Sequence, residues 1–291
     1  MVGEQSPMRF VSFAAEGRRS FGLVHGNGVF DLGRRLGAVL PDLKAWLDAQ
    51  ALGLAPQLPK PGVIDYAAGE FAYLPPVGNP GKVICVGVNY VEHRTETGRP
   101  EIAYPTLFTR WPDTFVGQGA PIRLPSNSTS LDYEGELAVI IGKAGHHVPK
   151  ADAMALVGGF ACFNDASVRD WQRHASQFTP GKNFLATGGF GPELVTPDEV
   201  PNLGPRTIET RLNGQVVQSA TLGDMIFDIP AVIEYITGFT RLEPGDVIAT
   251  GTPGGVGERR KPQLWMKAGD TVEVAIEGVG KLTNPIAPEI V

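Results

Sequence analysis

Two rhythms of apolar residues run through this chain. From residue 8 to about 32 they come in short strand-like runs split by turn residues: Met8-Arg-Phe-Val-Ser-Phe, Ser20-Phe-Gly-Leu-Val and Gly28-Val-Phe-Asp-Leu. Successive side chains on a strand face opposite ways, so these runs predict a small β-meander. At Asp42-Leu-Lys-Ala-Trp-Leu-Asp-Ala-Gln-Ala-Leu the pattern becomes amphipathic at helical spacing, behind an aspartate suited to an N-cap. A proline-rich stretch from 56 to 80 follows, and it reads as a semi-rigid connection carrying one short strand.

A larger unit opens at Lys82-Val-Ile-Cys-Val-Gly-Val. Strand signals recur at 121–124, 135–141, 160–163, 207–212, 246–250 and 271–276, and helices are predicted at 150–156, 167–174 and 228–239. Strands dominate, and they do not alternate regularly with helices. That excludes a doubly wound parallel sheet and predicts an α+β, mainly β fold with short helices. The expected division is a small N-terminal α/β domain over 1–78 and a larger domain over 79–291.

Composition sharpens the picture in a few places. The 37 glycines and 25 prolines favour short strands and structured turns over long helices. A net charge of −6 gives no reason to expect nucleic acid or an anionic membrane as partner. No apolar run reaches the roughly 18 residues of a membrane span. Met1 to Pro7 has neither the basic nor the apolar segment of a secretion signal. Cys85 and Cys162 sit in apolar settings and read as buried free thiols, which suits a reducing, cytoplasmic location.

The candidate chemistry centres on Asp132-Tyr133-Glu134-Gly135-Glu136, which leads into Leu137-Ala-Val-Ile-Ile141. On a strand Glu134 and Glu136 share a face, and two neighbouring carboxylates repel unless a cation lies between them. Asp165, at the end of the run Phe160-Ala-Cys-Phe-Asn, could add a third carboxylate. Hard oxygen ligands without thiols suit Mg²⁺ or Mn²⁺, with Ca²⁺ on the same chemistry. The same spacing also fits solvated acids on an edge strand, with Asp165 capping the next helix. His93 and Glu96 lie one helical turn apart, so Glu96 could fix the His93 tautomer and raise its basicity. An incidental surface pair has the same spacing. His25, His146, His147 and His174 offer no comparable dyad. Lys182 stands in the Gly/Pro loop Thr179-Pro-Gly-Lys-Asn-Phe. Arg169 and Gln172 follow Asp165, and Arg169 is close enough in sequence to pair with it or to take a substrate carboxylate. The glycine-rich run Thr250 to Gly257 is not a phosphate-binding loop, but it could offer backbone N–H groups and Thr252 to an oxyanion.

Taken in order, Gly87-Val-Asn-Tyr-Val-Glu-His93-Arg-Thr-Glu96, Asp132-Tyr-Glu134-Gly-Glu136, Asn164-Asp165-Ala-Ser-Val-Arg169-Asp-Trp-Gln172, Gly181-Lys182-Asn-Phe and Thr250-Gly-Thr252-Pro-Gly-Gly-Val-Gly257 resemble the fumarylacetoacetate hydrolase family. The resemblance spans Lys82 to the C-terminus. It implies a mixed β-roll and a homodimer. It implies Mg²⁺ or Mn²⁺ on Glu134, Glu136 and Asp165, with His93 and Glu96 as a dyad on a lid and Lys182 near the substrate carbonyl. Arg169, Gln172 and Thr252 match substrate-side positions, and Tyr90 is expected to line the pocket. One departure is Thr109-Arg110-Trp111-Pro112, where many members carry Lys-Pro; Arg110 would keep a cation near the pocket. The expected activity on a small-molecule keto acid is hydrolysis of a C–C bond in a β-diketo acid of the acylpyruvate or fumarylpyruvate type, with water activated by His93. The alternatives are decarboxylation or isomerisation of oxaloacetate-like or hydroxymuconate-type acids, and hydrolysis of a sugar-derived diketo acid.

Overall fold

The computed structural model describes residues 8–290, so the N-terminal stretch read for a secretion signal lies outside it. A twelve-stranded mixed sheet organises the molecule. Its path runs through Tyr66–Ala67, Gly28–Asp31, Arg18–His25, Arg9–Ala15, Gly188–Val195, Val157–Asn164, Gly135–Ile141, Val247–Ala249, Val83–Gly87 and Thr106–Thr109. Most pairings are antiparallel, as for Gly135–Ile141 against Val157–Asn164. The pairing of Val247–Ala249 with Val83–Gly87 is parallel. A second sheet of five strands holds Gln215–Thr221, Thr207–Leu212, Thr271–Ile276, Gly280–Pro288 and Ile122–Leu124. The fold is thus mainly β and mixed, as the sequence predicts.

The strand Gly135–Ile141 is buried along its whole length because both its faces are covered. Leu137, Val139 and Ile141 enter one core beside Ile229, Val232, Ile233 and Ile236 of the helix Ile229–Thr237. Ala138 and Ile140 enter the other, beside Leu43, Trp46 and Leu47 of the helix Leu43–Ala51. Continuous burial on two faces is what a central strand requires. It removes the reading of Glu134 and Glu136 as solvated acids on an edge.

The meander and the helix behind Asp42 form where predicted, and the Asp42 side chain accepts from the Ala45 N–H. The proline-rich connection carries two short strands, Tyr66–Ala67 and Ala72–Leu74. Strand pairing between Arg9–Ala15 and Gly188–Val195 crosses the division proposed at 78/79. The helix predicted over 167–174 forms only at Arg169–Gln172. Ser167 and Val168 pair as a strand with Leu131 and Asp132, because the backbone there is held by its neighbour across the sheet. Among the described residues no helix is long and apolar enough to cross a membrane.

Candidate active site

Strand register brings the acids together. Gly135 lies opposite Asn164, and the Asp165 N–H donates to the Glu134 carbonyl at 2.9 Å. Asn164 Oδ1 accepts from the Glu134 N–H at 3.0 Å, which fixes the start of the acid-bearing strand. Carboxylate oxygens of Glu134, Glu136 and Asp165 thereby lie within 4.8 Å of one another, all buried.

Three cations reach this cluster, and they serve it unequally. Lys182 Nζ lies 2.6 Å from Glu134 Oε2 and 2.5 Å from Asp165 Oδ2. Arg169 sits 2.7 Å from Glu134 Oε1 and 2.8 Å from Asp132 Oδ2, so it pairs with those acids and not with Asp165. Arg110 reaches Asp165 Oδ1 at 2.7 Å with its side chain fully enclosed. Glu136 has no ion pair among the described residues. Its Oε2 accepts the Gly251 N–H at 2.8 Å. Burial, followed by the charges of Asp165 and Glu134, holds the Glu136 carboxyl well above the usual carboxylate range. For Glu134 burial opposes ionisation, but Lys182 and Arg169 overcome it and hold that carboxyl below its usual range. Lys182 keeps its charge, because the two flanking carboxylates outweigh the cost of burying it.

The glycine-rich run turns inward on the protein's own acids. Gly251, Gly255 and Gly257 donate their N–H groups to Glu136, Glu96 and Asp132 at 2.8, 2.9 and 2.8 Å. These donors are therefore spent, and the expectation that they face an oxyanion is corrected. Gly251 has φ +98°, and a Cβ there would stand 2.7 Å from the Asn89 Cβ, so glycine is required. The Thr252 hydroxyl donates to the Gly135 carbonyl at 2.9 Å and accepts from Gln218 Nε2 at 2.8 Å.

His93 stands, buried, on the helix Val91–Thr97. Asn89 ties the base of that helix down by donating to the Thr250 and Phe227 carbonyls. His93 Nδ1 lies 2.7 Å from Glu96 Oε1. With Glu96 ionised, Nδ1 carries the proton and Nε2 is the free base. Val88, just before the anchor, has φ +57°, a strained conformation for a β-branched residue. Lys182 is not in a loop as expected but ends the helical turn Thr179–Lys182, where a Cβ on Gly181 would meet the Gln172 backbone at 2.5 Å.

A cavity of about 100 Å³ joins most of these groups. His93, Glu134, Glu136, Arg169, Gln172, Lys182 and Thr252 line it. Glu96 stands behind His93. Tyr90 and Arg110 do not line it, contrary to expectation. The Tyr90 hydroxyl is buried with no hydrogen-bond partner, and burial and the charge of Glu136 push its ionisation up. Arg110 acts from beneath, through Asp165.

Several residues that matter here carry no local signal. Asp132 accepts from the Gly257 and Glu258 N–H groups and pairs with Arg169. Gln218 accepts the Gly135 N–H at 3.0 Å and donates to Thr252 and to the Pro253 carbonyl, so one amide locks the acid strand to the glycine-rich run. A buried polar residue on an otherwise ordinary strand becomes informative only after the sheets are assembled.

The donor set suits a divalent cation. It offers three hard oxygens, four buried acids stand against three cations, and the acid left without a cation is Glu136.

The family model described as fumarylacetoacetate (FAA) hydrolase C-terminal matches residues 82–287. The human protein named oxaloacetate tautomerase FAHD2A, mitochondrial, is 39% identical over 292 residues, covering 96% of this chain and 91% of that one. Oxaloacetate tautomerase YisK of Bacillus subtilis (strain 168) is 40% identical over 248 residues, 82% of each chain. The solved fumarylacetoacetate hydrolase (EaFAH) of the psychrophile Exiguobacterium antarcticum superposes with a TM-score of 0.81 at 33% identity, over 97% of this chain and 100% of that one.

Proposed function

From the premise that the chain belongs to the fumarylacetoacetate hydrolase family, we propose that it interconverts the enol and keto forms of an oxaloacetate-type 2-keto acid with the help of a divalent ion. The observation that carries this reading is a cavity lined by Glu134, Glu136 and His93, with Asp165 at ligand distance from both acids and Glu96 bonded to the other ring nitrogen of the histidine. The two curated relatives described above are named for oxaloacetate tautomerisation, which moves the preference away from the hydrolysis first expected.

Glu134, Glu136 and Asp165 would hold Mg²⁺ or Mn²⁺ (Ca²⁺ would also suit these oxygens), and when bound the ion would act as a Lewis acid on the keto acid's oxygens. The remaining work belongs to the chain. His93 Nε2 takes the proton from the carbon next to the keto group and delivers it to the enolate oxygen, and it carries the proton the other way in the reverse direction. Glu96 keeps the imidazole in the useful tautomer and offsets the charge it gains. The Lys182 ammonium, fixed by Glu134 and Asp165, favours negative charge on the neighbouring oxygen. Arg169 and Gln172, linked to each other at 3.0 Å, present a planar face to a substrate carboxylate. The reading includes a homodimer, checked by light scattering.

Hydrolysis of an acylpyruvate is the second reading, favoured by the same dyad, which could activate water, and by the likeness to EaFAH. Enol-oxaloacetate and acetylpyruvate, each supplied with Mg²⁺, Mn²⁺ or EDTA, separate the two. The proposal expects metal-dependent loss of the enol absorbance of oxaloacetate and no cleavage of acetylpyruvate. Cleavage of acetylpyruvate without faster tautomerisation would install the hydrolase instead, and pyruvate release from oxaloacetate above the metal background would make the protein a decarboxylase.

A further inference from the structure

The mouth of the cavity has the opposite charge balance from its floor. Arg99, Arg173 and Arg259 all line it, and the acid beside them is Glu258. Arg173 pairs with Glu258, and Arg259 lies 3.8 Å from the same carboxylate. Arg99 makes no ion pair among the described residues. In a chain whose net charge is −6, three arginines around one carboxylate form a local excess of positive charge.

The position of Arg99 is set by the chain. Gly98 ends the His93 helix in the left-handed conformation at φ +66°, and the Arg99 N–H closes back on the Arg94 carbonyl at 3.2 Å. The Arg99 guanidinium then rests 5.2 Å from the centre of the Phe178 ring. Phe178 meets Phe108 edge-on at 5.6 Å between centroids, and Lys182 Nζ lies 5.0 Å from the Phe108 ring. Both rings line the cavity, so one aromatic wall runs from the floor cation Lys182 to the mouth cation Arg99. An aromatic face holds a guanidinium by its flat side while leaving its in-plane N–H groups free to donate.

We propose that Arg99 is a specificity-determining residue: it takes the distal carboxylate of a dicarboxylic 2-keto acid whose 2-keto acid end lies on the floor. This deepens the tautomerase reading and rests on it for the keto acid end. The chemistry is that of a fork of N–H donors meeting a planar carboxylate, with Arg173 and Arg259 raising the local positive potential. Among ligands with the same 2-oxy acid end, a second carboxylate would decide which stays.

The test uses binding rather than turnover. L-Malate and L-lactate share a 2-hydroxy acid end and differ in the distal carboxylate. Each is titrated calorimetrically into magnesium-loaded wild type, Arg99→Gln and Arg99→Lys. Wild type should bind malate at least about tenfold more tightly than lactate. Arg99→Gln should remove that preference and leave lactate affinity unchanged, and Arg99→Lys should keep part of it. An unchanged malate preference in Arg99→Gln would overturn the proposal. So would equal loss of malate and lactate, which would make Arg99 a general support of the cavity. If oxaloacetate is never tautomerised but the malate preference depends on Arg99, the activity reading fails and the distal subsite stands.

Discussion

Two places in this protein bury acids, and they solve the problem differently. Asp31, at the end of the meander, is fully enclosed. It accepts from the Ser20 hydroxyl at 2.6 Å and from the Arg34 N–H at 2.8 Å, caps the helical turn Leu32–Leu36 and pairs with Arg18. Every bond it needs comes from its own neighbourhood, and it lines no chemistry. In the acid cluster Glu134 and Asp165 are also answered, by Lys182, Arg169 and Arg110, but Glu136 is left with one backbone N–H. A buried carboxylate that the fold satisfies is a structural part. One that it leaves short of positive charge, beside two others at ligand distance, marks a place for an ion from outside.

Removal of the ion, of its base and of its neighbours each breaks that contrast. Stripping divalent ions with EDTA should reduce turnover to the uncatalysed background, and Mg²⁺ or Mn²⁺ should restore it. Turnover that survives in EDTA would mean that the cluster is as structural as Asp31. His93→Ala should lower kcat by about 10²–10⁴-fold while leaving calorimetric Mg²⁺ affinity in place, because the imidazole moves a proton and holds no ion. Asp165→Ala removes the partner of both Arg110 and Lys182, so denaturant unfolding of the metal-free protein should show a loss of about 3–5 kcal/mol as well as lost metal binding. Gln218→Met should cost about 1–3 kcal/mol by the same measurement, since the Gly135 N–H loses its acceptor and the Thr252 hydroxyl its donor.

In the folded, metal-free chain Glu136 keeps its proton above the ordinary value of 4.5, where the unfolded chain releases it. The contribution of this group to stability is therefore full below that value and is lost as pH rises toward the folded pKa. An ion that displaces the proton removes the penalty. The gap in Tm between magnesium-loaded and metal-free protein should widen as pH rises above the ordinary carboxylate value of 4.5, and Glu136→Gln should flatten it. Asp31→Asn should lower Tm modestly in both forms and leave the gap unchanged. A gap that responds equally to both substitutions would erase the distinction between the two regions.

The legible parts of the site were those written in local spacing. Glu134 and Glu136 open a strand too apolar to lie at an edge, and His93 and Glu96 keep the i, i+3 spacing of a helix face. The fold class followed from the dominance of strand signals. The strand Gly188–Val195 was hidden because Gly188, Gly189, Gly191 and Pro192 read as breakers, although pairing with Val157–Asn164 and Arg9–Ala15 holds it extended. Gln215–Thr221 is short and polar, with Gln215, Gln218 and Ser219 interrupting its apolar pattern, and with it Gln218 was invisible. Arg110 and Tyr90 were expected at the pocket from the family resemblance, whereas Arg110 is enclosed against Asp165 and the Tyr90 hydroxyl is buried without a partner. The N–H groups of the glycine-rich run looked free because their acceptors, Glu136, Glu96 and Asp132, lie more than a hundred residues away.

The most direct test is calorimetric titration of Mn²⁺ into chelator-stripped wild type and Glu136→Gln, with Asp31→Asn as the control. One ion should bind per chain in wild type and in Asp31→Asn, and the affinity should fall at least about tenfold in Glu136→Gln. Absence of binding to wild type, or equal affinity in Glu136→Gln, would contradict the assignment of Glu136 as the carboxylate that calls for the ion.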